Sequence, residues 1–121
     1  MREVGFDNRN LTKVFCTDEP GQGGACHKYE VMTNDPSTTE NIQCAQMSFQ
    51  NGPIKEGIGV NGCMHEDLLA IVIDRLEHFQ KGDYACRENA LALTKCQEAL
   101  HWLNHRTAQR QARGVEGTHT V

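Results

Sequence analysis

The chain has 121 residues, of which 38% are hydrophobic and 23% are charged, so its composition is that of one globular domain with a modest core. Its formal net charge of −4 argues against general binding of nucleic acids such as DNA. No run approaches the roughly 20 apolar residues that span a bilayer, and the first ten residues lack the apolar core of a signal peptide. We therefore expect a cytosolic protein that does not enter a membrane.

The N-terminal half is predicted to form a small antiparallel β unit of three or four strands. Residues 1–12 are polar and are predicted to be a loose arm. Strands are predicted at 13–17, 26–32 and 42–49. The loops between them are rich in glycine, proline and aspartate, as turns are. The three glycines of 54–62 indicate a shaped connector, in which Asn61 is a candidate cap for the helix that follows.

The first helix is predicted over 65–80, with the sequence HEDLLAIVIDRLEHFQ. Apolar residues recur in it at spacings of three, four and three, which places them on one face. They are Leu69, Val72, Leu76 and Phe79. Leu68, Ile71 and Ile73 widen this surface, so the helix is expected to have more than one neighbour. The Lys-Gly-Asp sequence at 81–83 is expected to end it.

The second helix is predicted from about Tyr84 to Arg113, with Gly114 after its end. The residues of one seam recur at spacings of three and four. They are Cys86, Asn89, Leu93, Cys96, Leu100 and Leu103. At about 1.5 Å per residue this helix would be about 45 Å long, so we expect its far end to pack on another chain.

The two helices are predicted to fold back on each other as an antiparallel hairpin. The predicted fold class is therefore α+β, with a small N-terminal antiparallel β unit followed by a long two-helix hairpin that oligomerises. We expect a single domain over 1–121, in which 1–62 hold the β-rich part and the connector and 63–121 hold the hairpin.

Six cysteines and six histidines raise the question of disulfides or a metal. Because no export signal is present, the cysteines are expected to be reduced thiols. The residues that could be assembled into a zinc site are Cys16, Cys26, His27, Cys44, Cys63 and His65. However, the sequence has no CxxC pair and no HExxH, and spacing fixes no third ligand for the pair His101 and His105. No metal and no cofactor are therefore predicted.

The end of the second helix is basic. Residues 101–121 contain Arg106, Arg110 and Arg113 against a single acidic residue, Glu116. Arg106 and Arg110 are four residues apart and share a helix face, and guanidinium groups suit bidentate recognition of phosphate. The alternative is a solvated basic face, which the helix dipole favours near a C-terminus.

Two further residues have both a structural and a binding interpretation. Asn89 either fixes the register of a helix contact or hydrogen-bonds to a ligand. Phe79 either completes the hydrophobic core or forms a platform for base stacking. No nucleophile–base pair is evident, so an enzyme is not predicted, although His101 or His105 would be the candidate base. The glycine-rich loop at 20–25 matches neither a Walker A motif nor GxGxxG and is a weak phosphate cradle.

Two segments resemble a known phage family, with GGACHKYEV upstream of both. They are FQNGPIKEGIGVNGCMHEDLLAIVIDRLEHFQKG and CRENALALTKCQEALHWLNHRTAQRQARGVEGTHTV. They are similar to Thoeris anti-defence sponges of the first type, over roughly 13–121 and most strongly over 49–121. The resemblance implies a hairpin shared with anti-CBASS phage sponges, and a cytoplasmic location in the infected bacterial host. It also implies binding and sequestration of cyclic ADP-ribose isomers without cleavage, which blocks Thoeris defence.

The resemblance further implies the site residues. In the family an aromatic residue closes the first helix, an asparagine follows the turn, and two arginines lie four apart near the end of the second helix. The matching residues are Phe79, Asn89, Arg106 and Arg110. Some members also bind cyclic oligonucleotide signals of CBASS defence, which makes cyclic di- or trinucleotides further candidate ligands, at separate sites on a hexamer.

The spacing of these four residues requires a homo-oligomer. Asn89 and Arg106 are seventeen residues apart, or roughly 25 Å along one helix, so one small nucleotide cannot bridge them. If two hairpins pack antiparallel, Phe79 and Asn89 of one chain can face Arg106 and Arg110 of the other. A homodimer, or a hexamer of three dimers, then completes each pocket. Both arginine side chains are expected to reach solvent when the pocket is empty.

Three classes of function remain open. The first is a nucleotide-sequestering sponge, the second a structural helical assembly protein without a nucleotide ligand, and the third a nucleotide-cleaving enzyme. They differ in what the protein releases on denaturation, because a sponge releases intact ligand, an enzyme releases product and a scaffold releases neither.

Overall fold

The computed structural model describes residues 1–5 and 11–121, which form two compact units. The first unit comprises Met1–Gly52 and Ile58–Cys63, and the second comprises Pro53–Gly57 and Met64–Val121. An N-terminal antiparallel sheet is followed by two helices, so the predicted α+β class is confirmed. The expectation of a single domain over 1–121 stays a prediction.

The first unit contains a four-stranded antiparallel sheet in the order β1-β2-β3-β4. The strands are β1 (Arg2–Val4), β2 (Thr12–Cys16), β3 (Lys28–Thr33) and β4 (Gln43–Ser48). The three predicted strands are confirmed as β2, β3 and β4, with small shifts at their ends. The register of β2 and β3 places the apolar residues Val14 and Val31 opposite each other, as a cross-strand pair.

The predicted loose arm is wrong at Arg2–Val4, which form the edge strand β1. These residues pair with Val14–Cys16 of β2, and the pairing satisfies backbone groups that a loose arm would leave to water. Residues 6–10 of the predicted arm lie outside the described residues. Three residues are too few to show the alternation of apolar and polar side chains that marks a strand. Their strand conformation therefore depends on pairing with β2.

The core of the first unit forms around Cys16, which is 2% exposed and lies opposite Tyr29 in the sheet. The ring of Tyr29 meets the ring of Phe49 edge to face, with 5.7 Å between centroids. Phe49 is held against Cys63 by a parallel bridge. All six cysteines of the chain are free thiols in the structure.

Asn61 was predicted to cap the first helix, and this prediction is wrong. The Asn61 side chain accepts from the Asn51 backbone N–H and donates to the Asn51 carbonyl, both at 2.8 Å, and so closes a loop of the first unit. At Gly62, a Cβ would lie 2.5 Å from the carbonyl carbon of Phe49, so this close approach requires glycine. The first helix is capped by Asp67, whose carboxylate accepts from the Met64 backbone N–H at 2.8 Å.

The second unit contains the two helices α1 (His65–Gln80) and α2 (Arg87–Ala112). They run antiparallel, because side chains far apart in sequence pair across the hairpin in reverse order. These pairs are Glu77 with Gln97 at 3.4 Å and Glu66 with Thr107 at 3.5 Å. The predicted helix over 65–80 is confirmed at both ends. Helix α2 begins at Arg87 rather than at about Tyr84, because Cys86 is its N-cap.

Helix α2 buries one seam, on which buried or half-buried residues recur at spacings of four and three. They are Asn89, Leu93, Cys96, Leu100, Leu103, Thr107 and Arg110. The predicted seam is therefore confirmed from Asn89 to Leu103, whereas Cys86 is exposed. On α1 the predicted stripe is wrong at one position, because Val72 is 43% exposed and Ile73 is buried in its place.

Several large apolar side chains of the hairpin are exposed. They are Ile71, Val72, Leu91 and Trp102. Exposed apolar surface of this kind is typical of contact faces, and it is consistent with the expected oligomer, which stays a prediction. No helix in the described part of the chain combines the length and apolar character needed to cross a membrane.

The two isoleucines of α1 provide a matched test of the hairpin core. Ile73 is 9% exposed and Ile71 is 64% exposed. We expect Ile73→Ala to lower the free energy of unfolding by about 2–4 kcal/mol, because it leaves a cavity, and Ile71→Ala to lower it by less than about 1 kcal/mol. Urea denaturation followed by circular dichroism measures both. Equal losses for the two variants would show that the helix phase described here is wrong.

Candidate functional site

The turn of the hairpin brings together an aromatic pair and an arginine. Phe79 lies in the last turn of α1, and its ring centroid is 5.6 Å from that of Tyr84, at an angle of 49° between the planes. The guanidinium carbon of Arg75, one helical turn earlier, lies 4.8 Å from the Phe79 ring centroid in a cation–π contact. Tyr84 is 73% exposed. The turn therefore presents aromatic surface, the kind of surface on which a nucleobase stacks.

Asn89 lies in the first turn of α2, next to the hairpin turn. Its backbone N–H is accepted by the Cys86 sulfur at 3.4 Å, and its side-chain N–H₂ donates to the Tyr84 carbonyl at 3.3 Å. Among the residues that the structure describes, its side-chain oxygen has no hydrogen-bond partner. We refer to Phe79, Tyr84 and Asn89 as the turn end of the hairpin.

The three arginines near the end of α2, Arg106, Arg110 and Arg113, form what we call the arginine end. They line a cavity of about 530 Å³ together with Gln109, Ala112 and Val121. Arg106 is exposed and makes no hydrogen bond or ion pair with any described residue. Arg113 is also exposed, and its guanidinium donates one hydrogen bond, to the Val121 backbone oxygen at 2.9 Å. Two guanidinium groups at this end are therefore available to an anion.

Arg110 differs from the two other arginines, because it is only 8% exposed. Its Nε donates to the Glu116 carboxylate at 3.2 Å, and its terminal nitrogens donate to three backbone carbonyls, those of Val115, Thr118 and Thr120, at 3.0, 3.2 and 2.6 Å. The expectation that Arg110 reaches solvent in the empty pocket is therefore wrong. These carbonyls belong to a loop that follows α2, and the sequence gives no indication that the loop folds back onto the helix.

One chain brings the four predicted site residues together in two pairs. Phe79 and Asn89 share the turn end through Tyr84, and Arg106 and Arg110 share the arginine end. Asn89 and Arg106 are seventeen residues apart and both lie within α2, so the two pairs are about 25 Å apart along one axis. A single hairpin therefore does not form one site from all four.

The other candidate groups are not assembled into sites. His101 and His105 stack at 6.5 Å and both contact the Trp102 ring at its edge. Within 1–5 and 11–121, no three histidine, cysteine, aspartate or glutamate side chains are placed to hold a metal ion. The glycine-rich loop at 20–25 is closed by its own backbone, with the Gly21 N–H donating to the Ala25 carbonyl at 2.8 Å.

Next to that loop, Asp18 accepts from the backbone N–H groups of His27 and Lys28 at 3.1 Å. Partial desolvation raises the pKa of Asp18, but these backbone hydrogen bonds outweigh it, so the pKa lies below its usual value. The amide groups that could have met a phosphate here are therefore occupied by a carboxylate of the chain itself.

The sequence pattern alone did not place Arg75, Tyr84 or Gln109 beside the predicted site residues. Arg75 and Phe79 are four residues apart on α1, so the i, i+4 rule could have indicated their contact. Gln109 lies three residues after Arg106 on α2, which also puts it on the same face. Tyr84 lies in the turn, where periodicity gives no information.

Comparison with known proteins gives two matches to the chain. The family model described as "Acb2/Tad1, hairpin domain" matches residues 40–108. The chain is also 60% identical over 75 residues to the protein named "Thoeris anti-defense 1" of Bacillus phage SBSphiJ7. This alignment covers 62% of the chain and 52% of the relative, so the chain spans about half the length of that relative. The family match includes Phe79, Asn89 and Arg106, and it ends two residues before Arg110.

Arg110 is buried and hydrogen-bonded, whereas Arg106 is exposed, so Arg110 is expected to contribute more to the stability of the fold. We expect Arg110→Ala to lower the free energy of unfolding by about 2–3 kcal/mol, because it removes four hydrogen bonds, including those to the Glu116 carboxylate and to the carbonyls of Thr118 and Thr120. Arg106→Ala should change it by less than about 0.5 kcal/mol, because the side chain is exposed and unpaired. Thermal denaturation measures both, and an unchanged melting temperature for Arg110→Ala would contradict the anchoring role.

Proposed function

This chain belongs to the Acb2/Tad1 hairpin family of phage Thoeris anti-defence sponges, and from that premise we propose that it binds and sequesters a signal nucleotide of the cyclic ADP-ribose type without cleaving it. Sequestration lowers the free concentration of the signal in the cytoplasm of the infected bacterium, and Thoeris defence is then not activated. The ligand-binding residues that we propose are Phe79, Asn89, Arg106 and Arg110. Cyclic di- or trinucleotides of CBASS defence are further candidate ligands.

The observation that carries the proposal is the basic cavity at the arginine end. The whole chain has a net charge of −4, yet three arginines line one cavity of about 530 Å³, a size that suits a small-molecule ligand. A pyrophosphate held there by guanidinium groups gains charge-assisted hydrogen bonds, each contributing roughly 1.5–3 kcal/mol. The turn end supplies the complementary chemistry, because it offers an aromatic ring to a base and an amide oxygen to a ribose or base N–H or O–H group.

A second copy of the chain is needed to bring the two ends together. In an antiparallel pair of hairpins, the turn end of one protomer lies beside the arginine end of its partner, so the pocket occurs twice by symmetry. The exposed side chains Ile71, Val72 and Trp102 support such a contact, since burying them on a partner would be favourable. A hexamer of three such dimers would leave further surface for other ligands.

Binding without cleavage is the part of this proposal that separates a sponge from an enzyme. We therefore propose incubating the purified protein with cyclic ADP-ribose isomers and cyclic di- and trinucleotides, removing free ligand by gel filtration, heating, and separating the released compounds by chromatography. We expect the protein to release an intact cyclic ADP-ribose isomer. Linear ADP-ribose would favour the enzyme, and release of no nucleotide would favour the structural scaffold.

The release experiment has a control variant on the same helix. Arg106→Ala should release less nucleotide, with an affinity weaker by about one to two powers of ten, because one guanidinium contact is lost. Lys95→Ala removes an exposed cation between the two ends of α2 and should bind like the parent. Equal binding by Arg106→Ala and the parent would mean that the arginine end is a solvated basic face.

The oligomer is testable without ligand. We expect light scattering coupled to gel filtration to give a mass of at least two chains of 13.5 kDa at micromolar concentration. Trp102→Glu introduces a charge on an exposed apolar face of α2 and should shift the protein toward the monomer if that face is the contact. A stable monomer of the parent would contradict both the dimer and the shared pocket.

A further inference from the structure

We propose that Cys16 and Cys26 form an oxidisable thiol pair, which reacts with a small-molecule disulfide and closes a disulfide bond across the base of the glycine-rich loop at 20–25. Both residues are free thiols in the structure, and the proposed function uses neither of them. Oxidation of this thiol pair requires no nucleotide, so its test is independent of nucleotide binding.

The fold of the first unit brings the two thiols into contact. Cys16 is the last residue of β2, where it lies opposite Arg2 of β1 and opposite Tyr29 of β3. The Cys26 side chain is hydrogen-bonded to the side chains of Cys16 and Arg2. Its thiol also donates to the backbone carbonyl of Asp18, with 3.4 Å between sulfur and oxygen. Two cysteines ten residues apart in sequence are therefore neighbours beside a guanidinium group.

The loop between the two cysteines is already closed by hydrogen bonds. The Asp18 carboxylate accepts from the backbone N–H groups of His27 and Lys28 at 3.1 Å. The Gly21 N–H donates to the Ala25 carbonyl at 2.8 Å. A disulfide forms without strain only where the backbone already holds two cysteines close together. Because these bonds hold the loop closed, the two sulfur atoms can join without unfolding it.

The other four cysteines have different surroundings. In the part of the chain that the structure describes, the thiols of Cys44 and Cys86 contact only backbone groups, and those of Cys63 and Cys96 make no hydrogen bond. The fold therefore favours one intramolecular disulfide over the alternatives.

The surroundings of Cys26 set how fast it reacts. Burial raises the pKa of this thiol, the neighbouring Cys16 side chain raises it further, and the hydrogen bond to Arg2 lowers it in part. At neutral pH little thiolate is therefore available to attack a disulfide. The rate of oxidation should rise about tenfold per pH unit below this raised pKa, because the thiolate fraction does.

Oxidised glutathione is a suitable small disulfide, and its reaction balances. The thiolate of Cys26, the more exposed of the two cysteines, attacks one glutathione sulfur, and the released glutathione takes up the proton that Cys26 lost. The thiolate of Cys16 then attacks the Cys26 sulfur and displaces the second glutathione in the same way. Two cysteine thiols are oxidised, and one glutathione disulfide is reduced to two thiols. Because the new ring restricts the unfolded chain, the oxidised protein should melt at a higher temperature.

The test exposes the native protein to oxidised glutathione from neutral to alkaline pH, followed by acid quenching, alkylation of the remaining thiols and digestion with trypsin. No lysine or arginine separates the two cysteines, so trypsin releases both on the peptide 14–28. We expect this peptide without alkyl groups and lighter by two hydrogens. Dithiothreitol before alkylation should restore two alkylated cysteines and reverse the rise in melting temperature.

Matched variants separate the roles of the residues. Cys26→Ser should lose the disulfide, whereas Cys44→Ser, which changes an exposed cysteine of β4, should form it like the parent. Arg2→Gln should slow oxidation by about three- to tenfold, because it removes a group that stabilises the Cys26 thiolate. Glu3→Gln changes the adjacent residue on the other face of β1 and should leave the rate unchanged.

The peptide of the parent decides the proposal even if Cys26→Ser does not fold. Alkyl groups on both of its cysteines, or glutathione retained on Cys26, would show that the two sulfur atoms do not join. Equal rates for Arg2→Gln and Glu3→Gln would overturn the role of Arg2. An unchanged melting temperature after oxidation would overturn the stabilising effect of the new ring.

Discussion

The burial of one seam of α2, from Asn89 to Arg110, is the interaction on which the rest of the second unit depends. It keeps a helix of 26 residues, about 39 Å long, beside α1 for most of its length. A helix of that length is a spacer that holds the turn end and the arginine end at a fixed distance. In the proposed dimer each end is half of a site, so the length of α2 fixes how far apart the two pockets lie.

The electrostatics of the arginine end follow from its isolation. At physiological ionic strength charges more than about 8 Å apart in solvent are largely screened from each other, so the acidic character of the whole chain does not cancel three arginines at one helix end. Glu116 is the acidic residue nearest to them in sequence, and its carboxylate is held by Arg110. The free positive charge that remains belongs to Arg106 and Arg113.

Helical periodicity predicted the hairpin closely, because each helix carries enough apolar residues to define its own face. The 65–80 helix has the predicted ends, and the seam of α2 has the predicted phase. The error at Val72 arose because Ile71, Val72 and Ile73 are all apolar, so the pattern alone could not decide which side chain points inward. Only the position of α2 selects Ile73.

Features that depend on distant residues were not predictable in the same way. The strand at Arg2–Val4 exists because β2 pairs with it, and the conformation of Asn61 depends on the backbone of Asn51. The burial of Arg110 depends on carbonyls of the loop that follows the helix. A residue pattern along a helix does not show which arginine is exposed and which is held by a loop.

The turn between the helices is closed by Gln80, whose side chain donates to the Cys86 carbonyl at 3.1 Å and accepts from the Cys86 N–H at 3.0 Å. Because these two hydrogen bonds join residues only six apart, they can form early and at a small loss of chain entropy. Each seam contact farther from the turn closes only a slightly longer loop than the contact before it, so the two helices can dock progressively from the turn outward.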